Sequence, residues 1–141
     1  MASVKKSSFN IKKFSILASR FEAILLSDKT DVLPEIPVEI DYDIYFDNNN
    51  IFRILMQLHG NKDAALPGYS FSIVAEGVYD FTEEFEREKK DEFLSLSGIP
   101  LMINSIRAYI LNISSYSVFG QYTLPMVDVQ HLLDSKKLEI R

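Results

Sequence analysis

Val38-Glu39-Ile40-Asp41-Tyr42-Asp43-Ile44-Tyr45-Phe46, then Asp47-Asn48-Asn49-Asn50, then Ile51-Phe52-Arg53-Ile54-Leu55-Met56-Gln57-Leu58-His59: two alternating runs flank a polar break. A strand turns successive side chains to opposite faces, so Ile36, Val38, Ile40, Tyr42, Ile44 and Phe46 share one face, with Glu39, Asp41 and Asp43 on the other. Phe52, Ile54, Met56 and Leu58 repeat the pattern opposite Arg53, Gln57 and His59. The Asp/Asn cluster between them is turn chemistry, and the pair reads as an antiparallel meander, half-buried.

The alternation extends outward in both directions. Pro67-Gly68 marks a turn, after which Tyr69, Phe71, Ile73, Ala75, Tyr79 and Phe81 predict another strand. Gly77 stands in that series where a side chain is expected, which signals a bulge or a close backbone approach. Upstream, Phe9 to Leu25 predicts a first strand whose parity changes between Phe9/Ile11 and Phe14/Ile16/Ala18. A bulge near Lys12-Lys13 reconciles the two halves. Pro34 and Pro37 delay the second strand, since proline cannot donate to a central ladder.

The last third changes period. Thr82 to Glu92 is charged and predicts a solvated loop or short helix. Pro100 suits a first helical turn, and Ile99, Met102, Ile103, Ile106, Ile110 and Ile113 follow at helical spacing to an end near Ser114 to Ser117. Leu101, Ala108, Tyr109 and Leu111 widen the stripe beyond what one sheet covers. A second protomer is the expected cover, with Met102, Ile106, Tyr109, Ile110 and Ile113 as interface candidates. Asp128 is an expected N-cap for a short last helix that includes Leu132 and Leu133, and Lys136 to Arg141 is expected as a tail.

The chain has 141 residues, which fits one domain with a core of its own, residues 1–8 being expected as flexible. It carries no Cys, so disulfides, thiolate metal sites and Cys nucleophiles are excluded. A net charge of -5 argues against a general polyanion binder, and the small Lys5, Lys6, Lys12, Lys13 cluster reads as a solvated strand edge. The N-terminus lacks the apolar run of a secretory signal, and polar residues such as Asn104, Ser105 and Arg107 break every stretch of membrane-spanning length. A cytoplasmic location without membrane insertion is expected.

Catalytic chemistry finds little support. His59 and His131 are far apart, with no metal-ligand spacing, and Asp41/Asp43 on an exposed strand face read as solubilising. The sequence contains no GxxxxGK[ST], GxGxxG or GxSxG. No catalytic residue, metal or cofactor is expected, and no enzyme.

Residues in order and spacing resemble the SecB family of export chaperones. Phe9-Asn10-Ile11 followed by Phe21-Glu22-Ala23 is similar to that family's F-x-I and F-E-A, and Glu76-Gly77-Val78-Tyr79 resembles the G-[IV]-[FY] end of its fourth strand. Ile99-Pro100-Leu101-Met102 with Arg107 resembles C-P-x-x-L-F-P-Y-A-R-E at Pro100 and Arg107. Tyr122-Thr123-Leu124-Pro125-Met126-Val127-Asp128 resembles L-x-L-x-P-V-N-F. Ile99 replaces the family's cysteine, and Ile103-Asn104-Ser105 replaces its F-P-Y.

The resemblance implies an α+β fold: an antiparallel four-stranded meander sheet with a long helix and a short C-terminal helix packed on one face. It further implies a dimer or a tetramer (dimer of dimers) that holds non-native polypeptides without ATP in protein export. Phe14, Ile16, Phe21, Tyr42, Ile44 and Phe46 are the client-binding candidates, each of which could equally be core. Glu22 matches a carboxylate that the family offers to the SecA motor. Ala18 and Ser72 stand where other carboxylates are expected, and Lys136 to Arg141 replaces the family's acidic tail. Two alternatives stay open: a chaperone for one dedicated client such as an antitoxin, and a homo-oligomeric adaptor.

Overall fold

The computed structural model describes residues 3, 7–25, 33–47 and 50–139, with side chains to Lys136. Four strands form one antiparallel sheet: β1 (Phe9–Ile24), β2 (Val38–Phe46), β3 (Ile51–Gly60) and β4 (Gly68–Phe81), in the order β1-β4-β3-β2. The meander proper is β2 to β4, and β1 joins at the far side beside β4. The period-2 reading therefore placed the strands with errors of a residue at most. In register, Tyr42 faces Met56, and Met56 faces Ala75, so the apolar rows of three strands fall on one face.

On β1 the pairing with β4 slips between Ile11 and Lys13 and again between Ile16 and Ala18. The first slip is the bulge expected at the lysines. Each extra residue flips the parity once, so Phe9, Phe14, Ile16 and Phe21 all reach the apolar face despite uneven spacing. Gly77 pairs regularly with Phe14 and Ile54, and its role is close approach. A Cβ there would meet Met102 Sδ at 2.5 Å and Tyr79 Cε2 at 2.7 Å.

The helix layer covers that face. α1 (Arg87–Phe93) passes through a π-helical segment (Leu94–Gly98) directly into α2 (Ile99–Ser114). The helix thus starts at Arg87, well before the start expected at Pro100, which lies inside it. Pro100 has no N–H to give to the preceding turn, and the wider register absorbs the gap: Ile99 N–H bonds Leu94 O, five residues back. The full run Arg87–Ser114 is 28 residues and, by length and composition, long enough to cross a membrane, which corrects the expectation that no stretch is. Its apolar stripe is spent on the sheet: Ile99, Met102, Ile106 and Ile110 are completely covered.

Lys90 fixes the start of this helix. Its ammonium bonds Asn50 Oδ1 at 3.2 Å and lies 5.7 Å from the Phe52 ring, although the residue is only 6% exposed. At the other end Arg107 fastens the connector to α2, donating from Nε to Leu124 O (3.2 Å) and from Nη2 to Pro125 O (3.0 Å). Tyr69 Oη pins the loop before it, donating to Gly120 O and accepting from Phe119 N–H. α3 (Val129–Glu139) then runs beside β2. Asp128 caps it as expected, its Oδ1 accepting from His131 N–H at 3.0 Å. Residues 136–139 continue that helix, in place of the expected tail.

Candidate functional site

Coverage of the apolar face is uneven. On β3 and β4, beneath α2, Phe52, Ile54, Met56, Leu58, Phe71, Ile73 and Tyr79 are at or near zero exposure. On the edge strand β2 the same row is only partly closed: Tyr42 is buried at 7% exposure, but Val38, Ile40 and Ile44 are half-buried and Phe46 is 39% exposed. α2 reaches the centre of the sheet, and the shorter α3 leaves gaps on both sides of itself.

Those gaps are two grooves. One, of about 560 Å³, lies between β2, the helix of α1 and its π-helical turn, and α3; it is lined by Tyr42, Ile44, Leu96 and Leu133 with a rim of Asp43, Glu88, Asp91, Glu92 and Lys136. The other, of about 450 Å³, lies on the opposite flank of α3 and is lined chiefly by Val38, Ile40, Val127 and Leu132. Leu96, 58% exposed, is an apolar side chain standing open at the first groove.

Lys136 closes one end. Asp41 and Asp43 have the parity of the open sheet face, so the Lys136 ammonium reaches past the edge of β2 to them, at 3.1 and 3.3 Å. It also lies 5.8 Å from the Tyr42 ring. Burial pulls this lysine down, but hydrogen bonds to both carboxylates and their charges outweigh that and hold it above its ordinary value. Burial likewise raises the Tyr42 phenol, against the Lys136 charge.

The expected client-binding residues fall in two places. Tyr42 and Ile44 line the larger groove, and Phe46 lies at the same flank with the Arg87 guanidinium 3.4 Å from its ring centre. Phe14, Ile16 and Phe21 lie across the sheet on β1, half-buried, and none of them lines the two grooves along β2. Phe21 packs against Tyr69 and Phe71, a core arrangement.

Of the expected interface residues, Met102, Ile106 and Ile110 are completely covered by the chain's own sheet, contrary to a place on a subunit surface. Tyr109 donates to Ser19 Oγ on β1 at 2.8 Å, and Ile113 is half-buried. The outward row of α2 is instead Leu101, 42% exposed, and Ala108, with Leu111 half-buried.

Sequence reasoning missed Leu96, Leu133, Lys136 and the acidic rim. Val129, Leu132, Leu133 and Lys136 do sit at spacings of three and four, and that was the available signal. Glu22 is exposed on the open sheet face, where its carboxylate is paired with Arg20. Among the described residues no three His, Asp or Glu side chains gather as a metal site.

The fold as a whole matches a solved structure. The Mycobacterium tuberculosis Rv1957 SecB-like chaperone, in complex with a ChAD peptide from the Rv1956 HigA1 antitoxin, aligns with a TM-score of 0.65 at 12% identity. The alignment covers 85% of this chain and 91% of that one. The fold is SecB-like. A protein of unknown function from Streptococcus agalactiae aligns over 84% of this chain and 97% of its own, at 11% identity and a TM-score of 0.45. No protein-family model and no curated protein matches the chain.

Proposed function

We propose that this protein is an ATP-independent holdase, a non-enzymatic chaperone that binds non-native polypeptide segments in the grooves along β2. The observation that carries this reading is the incomplete cover of the β2 apolar row in a SecB-like fold, with about 560 and 450 Å³ of groove flanking α3. Apolar walls accept many side chains, each large one buried contributing roughly 1.5 to 3 kcal/mol. Grooves repeated on a homo-oligomer would multiply that through effective concentration. The cytoplasm is the compartment in which such a chaperone meets nascent clients.

A dedicated client, such as an antitoxin, is favoured over general export. On β1 and its β4 partner the open sheet face is not acidic where the resemblance expects carboxylates: Glu22 is paired with Arg20, and Ala18 and Ser72 occupy neighbouring positions, while the Asp41 and Asp43 carboxylates at the β2 edge are paired with Lys136. The SecB-like neighbour was solved with an antitoxin peptide, which supports the same preference.

The test is suppression of aggregation of a urea-unfolded polypeptide on dilution, without nucleotide. Dose-dependent protection is expected. No protection at a molar excess would overturn the holdase reading and leave the adaptor. Titration with the SecA C-terminal zinc peptide separates export from a dedicated client, no binding being the expected result.

A further inference from the structure

α3 has the dress of a ligand. Among its described side chains only Leu133 is buried, at 7% exposure, with Val129 and Leu132 half-buried and Gln130, His131 and Asp134 exposed. Its other attachment is electrostatic, the Lys136 ammonium on the Asp41 and Asp43 carboxylates. An apolar side chain followed three residues later by a cation is therefore what this part of β2 holds.

The two grooves are one row of β2 divided by this helix. The larger uses Tyr42 and Ile44 of the strand with Gln130, Leu133 and Lys136 of α3; the smaller uses Val38 and Ile40 with His131, Leu132 and Ser135. Without α3 the strand would offer Val38 to Ile44 as a single uninterrupted trough. A pivot is also present. Arg107 clamps the chain at Leu124 and Pro125, and Leu124 is buried, so the connector stays fixed up to Pro125 while Met126, 89% exposed, is free of cover.

We infer that α3 is a resident occupant of the β2 trough, displaced by a client segment of its own chemistry: an apolar residue for the Leu133 seat and a cation for the Asp41–Asp43 pair. The inference rests on the holdase reading and names the client chemistry. The surplus carboxylates Glu88, Asp91 and Glu92 on the rim add long-range attraction for the same cation. What a client must replace is small: Leu133 with the half-buried Val129 and Leu132, and the two Lys136 ion pairs, whose carboxylates are more than half exposed.

The full chain is compared with Lys136→Glu and with the charge-swapped Asp41→Lys/Asp43→Lys/Lys136→Glu. Two synthetic peptides identical except for Leu-x-x-Lys or Leu-x-x-Glu serve as probes, together with a permanently unfolded polypeptide. In Lys136→Glu, amide exchange in Val129–Glu139 should accelerate about tenfold with the strands unchanged, and the unfolded polypeptide should bind roughly fivefold tighter. The swap should restore both values. Wild type should prefer the Lys peptide by about fivefold, and the swap should prefer the Glu peptide.

Faster exchange with unchanged or weaker polypeptide binding would make α3 a wall and overturn the inference, as would equal affinity for the two peptides. Wild type that binds no unfolded polypeptide at all defeats the holdase reading itself. Lys136→Met substitutes if Lys136→Glu does not fold, with the same expected directions.

Discussion

The Sδ of Met102 lies 2.5 Å from where a Cβ on Gly77 would be, so the long helix rests on bare backbone at the middle of the sheet. Tyr79 Cε2, 2.7 Å from the same point, closes the other side. Gly77→Ala should therefore overpack this crossing and cost about 1 to 3 kcal/mol, read from urea unfolding. Adding Met102→Ala should recover part of that loss, because the two changes share one space. Independent, additive costs would refute the account.

Arg107 joins the last third of the chain to α2 through two main-chain carbonyls. Arg107→Met keeps much of the stem and removes the donors, leaving those carbonyls without them. A loss of about 1 to 3 kcal/mol is expected, with faster amide exchange confined to the connector and α3. Uniform exchange across the sheet would contradict this local role.

Alkaline stability should be set by buried phenols. Burial pushes Tyr79 up to about 12, and Tyr42 and Tyr122 are raised in the same direction. The fold thus favours their neutral form: the contribution is complete below the ordinary tyrosine value of 10.0 and is lost as pH climbs through about 12. Tyr79→Phe should narrow the fall in urea midpoint across that interval. An equal fall in the variant would assign the alkaline loss elsewhere.

Leu96 is open at the groove and supports little of the core, so Leu96→Asp should leave stability within about 0.5 kcal/mol. Aggregation suppression should drop several-fold. Unchanged protection would move the client site away from the β2 flank.

Self-association is expected through the outer row of α2. Leu101→Glu should shift light scattering toward a smaller species with near-wild-type thermal stability of the subunit. An unaltered mass would locate the interface on another surface.

The legible parts of this molecule are those where one period governs. Val38–Phe46 could be read to the residue because every second side chain is apolar and the turn residues interrupt nothing else. The β1 bulge was legible from a parity conflict. The helix start at Arg87 was not, because a charged first turn resembles a loop and Pro100 imitates a beginning; only the π-helical register reconciles proline with an unbroken helix. The grooves were illegible for a different reason. They depend on how far α3 stands from α1 across the edge of β2, a distance set by the connector that Arg107 holds. Tyr42 and Ile44 could be named from parity, whereas Leu133 lay in the expected last helix with nothing in sequence to say what it faces, and Lys136 was expected in a tail beyond it.

β1 has one consequence for life in a crowded solution. Among the described residues it pairs on one side only, and a strand of sixteen residues with a bare flank is a template for fibril growth. Its two kinks cut that flank into Phe9–Ile11, Lys13–Ile16 and Ala18–Ile24, so a foreign strand laid against it loses step before many rungs can form. The longest raw margin of the sheet is thereby kept from recruiting its own kind without limit.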